Sequence, residues 1–155
     1  MQLNRSLHDN LDSRVAIPPQ AGGANGTITG AEIDLAGSDA AQFIAMFGAW
    51  TDGTHTLRFF HGDTSGALTR VATEDLDAKV PADLTDTAGD GEVIVSSAAK
   101  DDSIVQVGYI GGKRFARVDY VKTGVTTGFD GIAVVAEIGR LRGVGGNPQT
   151  DPDFD

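Results

Sequence analysis

The stretch SIVQVGYIGGKRFARVDYVK, residues 103–122, decides how the rest of the chain is read. Two runs of β-forming residues, Ser103 to Ile110 and Arg114 to Lys122, flank Gly111-Gly112. Paired glycines favour two-residue hairpin loops, whose central residues need positive φ. The spacing therefore predicts a β-hairpin. The same residues carry the Gly-Lys pair of a phosphate-binding loop, but Val107 stands where that motif needs its first glycine, and Arg114 where it needs a magnesium-binding Ser or Thr. A phosphate loop must also open a helix, whereas strand-forming residues lie on both sides of this one.

Working outward, the chain from Thr27 onward repeats short β-forming runs bounded by Gly, Asp, Asn and Ser, as in a sandwich or barrel of about eight strands. Thr27 to Leu35 and Gln42 to Trp50 are the first. The second places Phe43, Ala45 and Phe47 on one face and Ile44, Met46 and Trp50 on the other, which predicts a central strand covered on both sides. Thr51-Asp52-Gly53-Thr54 predicts a hairpin into Thr56 to His61, where Leu57, Phe59 and His61 share a face. Asp63-Thr64-Ser65-Gly66 predicts a further turn into Ala67 to Thr73. Glu74 to Asp90 loses the two-residue period and reads as a long loop with at most one helical turn. Strands resume at Glu92 to Ser96, and Ile132 to Leu141 closes the body.

The ends read differently. Leu3, Leu7 and Leu11 recur every fourth residue, but Pro18 and Pro19 stop a helix. A short helix or an extended arm fits the leucines equally well; residues 1–25 are expected to be an extended N-terminal arm, 26–142 the body, and 143–155, rich in Gly, Pro and acids, a flexible tail. The fold expected is an all-β, single-domain, antiparallel β-sandwich, jelly-roll-like.

Composition bounds the function. A chain of 155 residues is the length of one ordinary domain. With 40% apolar residues it buries a core without metal or disulfide staples, and it has no cysteine for either. The formal charge of -10 opposes binding to nucleic acid or to anionic lipid. The longest strongly apolar run, Ile132 to Ala136, is far below the roughly 20 residues that span a bilayer, and Met1 to Asn10 lacks the apolar core of a signal peptide.

Reactive constellations are thin. His55 and His61 would face the same way on one strand, but six residues at about 3.3 Å each hold them roughly 20 Å apart. Asp75, Asp77 and Asp86 sit at places one, three and twelve of a calcium loop, yet Lys79 and Val80 occupy its fifth and glycine positions. Asp83, Asp86, Asp90 and Glu92 could form only an irregular cation site, against the ordinary reading of a solvated acidic loop. There is no nucleophile elbow, and the adjacent acids Asp101 and Asp102 point to opposite faces of a strand. No cofactor and no enzymatic activity are expected. Trp50, Tyr109 and Tyr120 offer the alternative of a sugar-stacking platform on a carbohydrate-binding module.

Taken together, Asp34-Leu35-Ala36-Gly37, Phe43, Gly48 with Thr51-Asp52-Gly53-Thr54, and Val107-Gly108-Tyr109-Ile110-Gly111-Gly112-Lys113-Arg114-Phe115-Ala116-Arg117-Val118 form a pattern. It resembles that of small virion proteins of tailed bacteriophages and prophages, over approximately Ser13 to Arg142. The resemblance implies a structural protein of the particle: a decoration or cement protein bound outside the shell of the major capsid protein, often as a homotrimer. It would occupy the host cytoplasm before assembly. A head-completion or tail role is the rival within that class. On this reading Leu3, Leu7, Leu11, Val15 and Ile17 of the arm bury apolar surface against neighbouring chains. That burial must offset an ordering cost of about 1–2 kcal/mol per residue.

Overall fold

A computed structural model describes residues 10–21, 23–38, 40–129 and 131–139. Twelve strands form among them: β1 (Leu11–Gln20), β2 (Gly26–Thr29), β3 (Ile33–Asp34), β4 (Ala40–Phe47), β5 (Thr54–Thr64), β6 (Ala67–Arg70), β7 (Leu76–Ala78), β8 (Thr85–Thr87), β9 (Asp90–Val95), β10 (Ser103–Tyr109), β11 (Phe115–Thr123) and β12 (Ile132–Gly139). One sheet has the order β1-β12-β4-β10-β7. The other has the order β2-β11-β5-β9-β8, with β3 also on β11 and β6 also on β5. Every strand pairing is antiparallel. The all-β sandwich expected from the sequence is the fold.

The core forms where the inward rows of the two sheets meet. On β4, Phe43 lies opposite Val107 and Ala136, and Ala45 opposite Val105 and Val134; all six are buried. On β5, Leu57 lies opposite Tyr120 and Val93, and Phe59 opposite Val118. Across the gap the Phe43 and Phe59 rings sit 5.7 Å apart at a tilt of 52°, an arrangement in which the positive edge of one ring meets the negative face of the other.

Several local expectations need correcting. The stretch across Gly111-Gly112 is not a hairpin: β10 belongs to the first sheet, between β4 and β7, while β11 belongs to the second. Neither glycine takes the positive φ of a two-residue hairpin loop. Gly111 is required for close approach instead, because a Cβ there would come within 2.6 Å of the Tyr109 hydroxyl. Thr51 to Thr54 likewise carries the chain from β4 in one sheet to β5 in the other, although Gly53 does take the expected positive φ, at 78°. Asp63 to Gly66 does turn one strand back on its neighbour, with Thr64 opposite Ala67. Residues 74–90 are not one loop. They hold β7 and β8 with short 3-10 turns at Thr73–Asp75 and Pro81–Asp83.

The expected arm is corrected from Leu11 onward. Residues Leu11 to Gln20 form an edge strand paired along β12, with irregularities between Val15 and Ile17 and between Ile17 and Gln20. Ala16 and Ile17 are buried in the chain's own core, so Ile17 has no surface left for a neighbouring chain. Pro18 and Pro19 are tolerated because an edge strand need not donate along both sides. Leu3, Leu7 and the tail expected over 143–155 lie outside the described residues.

Candidate functional site

Of the residues that carry the virion resemblance, Asp34 to Ala36 and Tyr109 to Arg114 meet at one end of the sandwich, whereas Thr51 to Thr54 lie at the other, after Phe47. Arg114, just before β11, donates to Asp34 of β3 through Nε at 3.0 Å and a terminal nitrogen at 2.8 Å. The Leu35 N–H donates to the Arg114 carbonyl at 2.7 Å, and the Asp34 carboxylate also accepts the Ala36 N–H at 2.9 Å. The Arg114 bonds, with help from the Ala36 N–H, hold the Asp34 carboxyl at a pKa of about 2. Beside it Lys113 Nζ lies 2.6 Å from Asp63, which holds that carboxyl low and the ammonium high.

Tyr109 is the centre of this corner. Its hydroxyl accepts the Lys113 N–H at 3.0 Å and stands 2.9 Å from His61 Nδ1. With its oxygen accepting from the backbone, the hydroxyl hydrogen is free to donate to Nδ1, which places the neutral ring's proton on Nε2. Burial pushes the Tyr109 hydroxyl pKa up. The surrounding cleft, about 500 Å³, is lined by Leu35, Ala41, Asp63, Gly111 and their neighbours. Its Lys and Arg each have a carboxylate partner, 50 and 80 residues away in sequence, on β5 and β3 of the second sheet, so they pin the link after β10 to that sheet, while the Tyr109–His61 bond ties the first sheet to the second.

A second polar cluster closes another crossing between the sheets. His55 Nε2 lies 2.9 Å from the Asp52 carbonyl. A carbonyl only accepts, so Nε2 carries the proton and Nδ1 accepts from the Tyr120 hydroxyl. The ring packs at 4.3 Å from Phe129, and burial lowers its pKa. The Asp52 carboxylate accepts the Gly128 N–H at 2.8 Å, the N–H groups of Thr126 and Thr127, and the Thr126 hydroxyl. These bonds, the hydroxyl first, hold its pKa at about 2. As expected, His55 and His61 share one face of β5; read from the sequence as ordinary surface or rim histidines, they face inward, His55 fully buried, and each pairs with a different tyrosine, on β10 and on β11, in different sheets.

Other sequence candidates are placed as follows. Tyr120 is fully buried and Tyr109 nearly so, while Trp50 is half-buried and donates to the Gly53 carbonyl at 3.1 Å. Those three rings present no common face to a sugar. Of the acidic loop, Asp83 pairs with Lys100. Asp86 accepts from Thr73 and Gly89, and Glu92 pairs with Arg58 and Arg70. Among the described residues no three His, Asp or Glu side chains are gathered to hold a metal ion.

The two outer faces differ sharply. That of the second sheet is a lattice of ions: besides the Glu92 pairs, Arg117 bonds Asp119 at 2.8 Å, and the Phe60 ring lies beneath the guanidiniums of Arg70 and Arg117. That of the first sheet carries an apolar patch. Val15 lies opposite Val135, which lies opposite Ile44; in the next row Ala133 lies opposite Met46, which lies opposite Ile104. Val15, Met46 and Ile104 are 57%, 40% and 60% exposed. The cover expected over Ile44 and Met46 is therefore absent among the described residues. Of the proposed arm contacts, Val15 belongs to this patch, whereas Leu11 is half-buried at the end of the strand.

No protein-family model matches the chain, and no curated protein matches it. Among solved structures it is similar to the SPBc2 prophage-derived protein YomS, with 14% identity over 83% of this chain and 92% of that one, at a TM-score of 0.48. A second similarity is to the VP2 subviral particle of infectious bursal disease virus. There the identity is 13% over 84% of this chain and 40% of the other, at a TM-score of 0.27. At these values both are similarities of chain course.

Proposed function

We propose that this chain is a structural protein of a tailed-bacteriophage particle and not an enzyme. It docks as a decoration or cement protein on the outside of the shell built by the major capsid protein, as a homotrimer. The observation that carries the reading is the outer face of the first sheet, where aliphatic side chains up to 60% exposed stand in adjacent rows. Contiguous apolar surface of this kind gains free energy only when a partner covers it. The resemblance in Asp34, Lys113 and Arg114 at one end and in Asp52 and Gly53 at the other supports the same reading, since all of them brace the sandwich.

The net charge of -10 fits a protein that stays dispersed before assembly and avoids the packaged nucleic acid. Electron microscopy of particles made with and without this chain tests the proposal. Expected is extra density on the outer shell in copies grouped by three, lost on deletion of the gene. Density at the portal vertex or along the tail would move the protein to a head-completion or tail station, and particles that never contain it would overturn the reading.

A further inference from the structure

We infer that the outer face of the first sheet is the docking surface itself, and that it takes an extended apolar segment of the shell protein flanked by a basic residue. The inference rests on the capsid reading above and adds to it the surface and the chemistry of the partner.

Residues directly opposite in an antiparallel sheet point to the same side, so the pairings fix what this face presents. One row is Val15, Val135 and Ile44, ending in Gln106 on β10; the next is Ala133, Met46 and Ile104. Strands lie about 4.8 Å apart, so the patch runs roughly 14 Å across four of them. Beyond Met46 and Ala133 it continues into a shallow apolar groove of about 510 Å³ bordered by Pro19, Ala21 and Gly131.

At the opposite side the row next to Val135 and Ile44 holds Glu137, Gln42, Gly108 and Asp77. Gln42 donates to Glu137 at 2.7 Å, and among the described residues neither Glu137 nor Asp77 has a cationic partner. The face thus reads from groove to apolar rows to a polar row with one carboxylate at each side, half-buried Glu137 on β12 and exposed Asp77 on β7. A second copy would bring its own carboxylates and a charge of -10 against the same charge, whereas a partner with Lys or Arg beside an apolar run meets each part in turn. Carboxylates at the rim of an interface set orientation and association rate, and the apolar centre sets affinity.

The test uses the full-length protein and particles assembled from the phage genome with this gene deleted. Ile104→Asp places a charge on an already exposed position; it should leave the circular dichroism and melting unchanged and lower particle occupancy about tenfold or more. Glu137→Lys should keep the fold and lower occupancy severalfold, more steeply at low salt. Ile94→Asp, the same change on the outer face of the second sheet, should bind as the unaltered chain does. If the unaltered chain does not bind, the capsid reading falls and this inference with it. If it binds and Ile104→Asp binds equally well, only this inference falls. Sedimentation showing a multimer of the free chain that Ile104→Asp dissolves, with particle occupancy unchanged, would assign the face to a second copy and overturn it.

Discussion

Two links of similar appearance take opposite courses in this molecule. Gly111-Gly112 and Ala88-Gly89 both separate β-forming runs, yet the second closes a hairpin between β8 and β9, with Thr87 opposite Asp90, while the first leads from one sheet to the other. The hairpin has positive φ at both central residues, 57° and 93°, as a type I′ turn requires. Between Tyr109 and Phe115 neither glycine does. Stacked sheets lie about 10 Å apart, and the five residues from Ile110 to Arg114 cover that distance. Glycine in a β protein thus has two distinct uses, backbone freedom and the absence of a side chain, and the letters do not say which applies.

Substitutions separate the two uses. Gly111→Val should cost most, about 2–3 kcal/mol by overpacking against the Tyr109 ring, seen as a lower midpoint in chemical denaturation; an unchanged midpoint would return Gly111 to the role of a simple turn. Gly89→Ala, placing a side chain at positive φ in the hairpin, should cost about 1 kcal/mol. Ala88→Asn should go the other way and stabilise by roughly 0.5 kcal/mol, because asparagine accepts the left-handed region more readily than alanine.

The crossings also differ from the hairpin in carrying buried polar side chains, which leads to a smaller, pH-dependent effect. Burial lowers the folded-state pKa of His55 at the β4–β5 crossing. The unfolded chain then takes up the proton first, so stability is full above pH 6.5 and falls as the pH drops below it. Denaturation midpoints at pH 7.5 and 5.5 should show that fall, and His55→Gln should flatten it. The losses from Asp34 and Asp52, whose pKa values are depressed to about 2, belong to a separate window. They are absent above pH 3.8 and grow as the pH falls from there toward 2.

The parity of side chains along single strands was legible in the sequence: the inward set Phe43, Ala45, Phe47 and the set Leu57, Phe59, His61 follow from the two-residue period. Sheet membership was not. Whether β10 continues into β11 as a neighbour or crosses depends on partners 64 residues upstream, such as Phe43 opposite Val107. The strand Leu11 to Gln20 hid behind Pro18-Pro19 and four polar or exposed positions, because its partner β12 lies at the far end of the chain. Strands of three residues, such as β7 and β8, are too short to show a period. Of the docking patch, Val15 was singled out from the sequence. Ile44 and Met46 were recognised as apolar but read as covered, since alternation reveals which residues share a side and not what lies over them.

The pairing of Leu11 with Gly139 sets how the molecule yields to a pull. Traction applied in opposite directions at these two residues meets the rungs between β1 and β12 singly and in sequence, so the strands peel from that end. Force entering there finds a weak seam, whereas force spread over the broad face of the sheet is shared by many bonds at once.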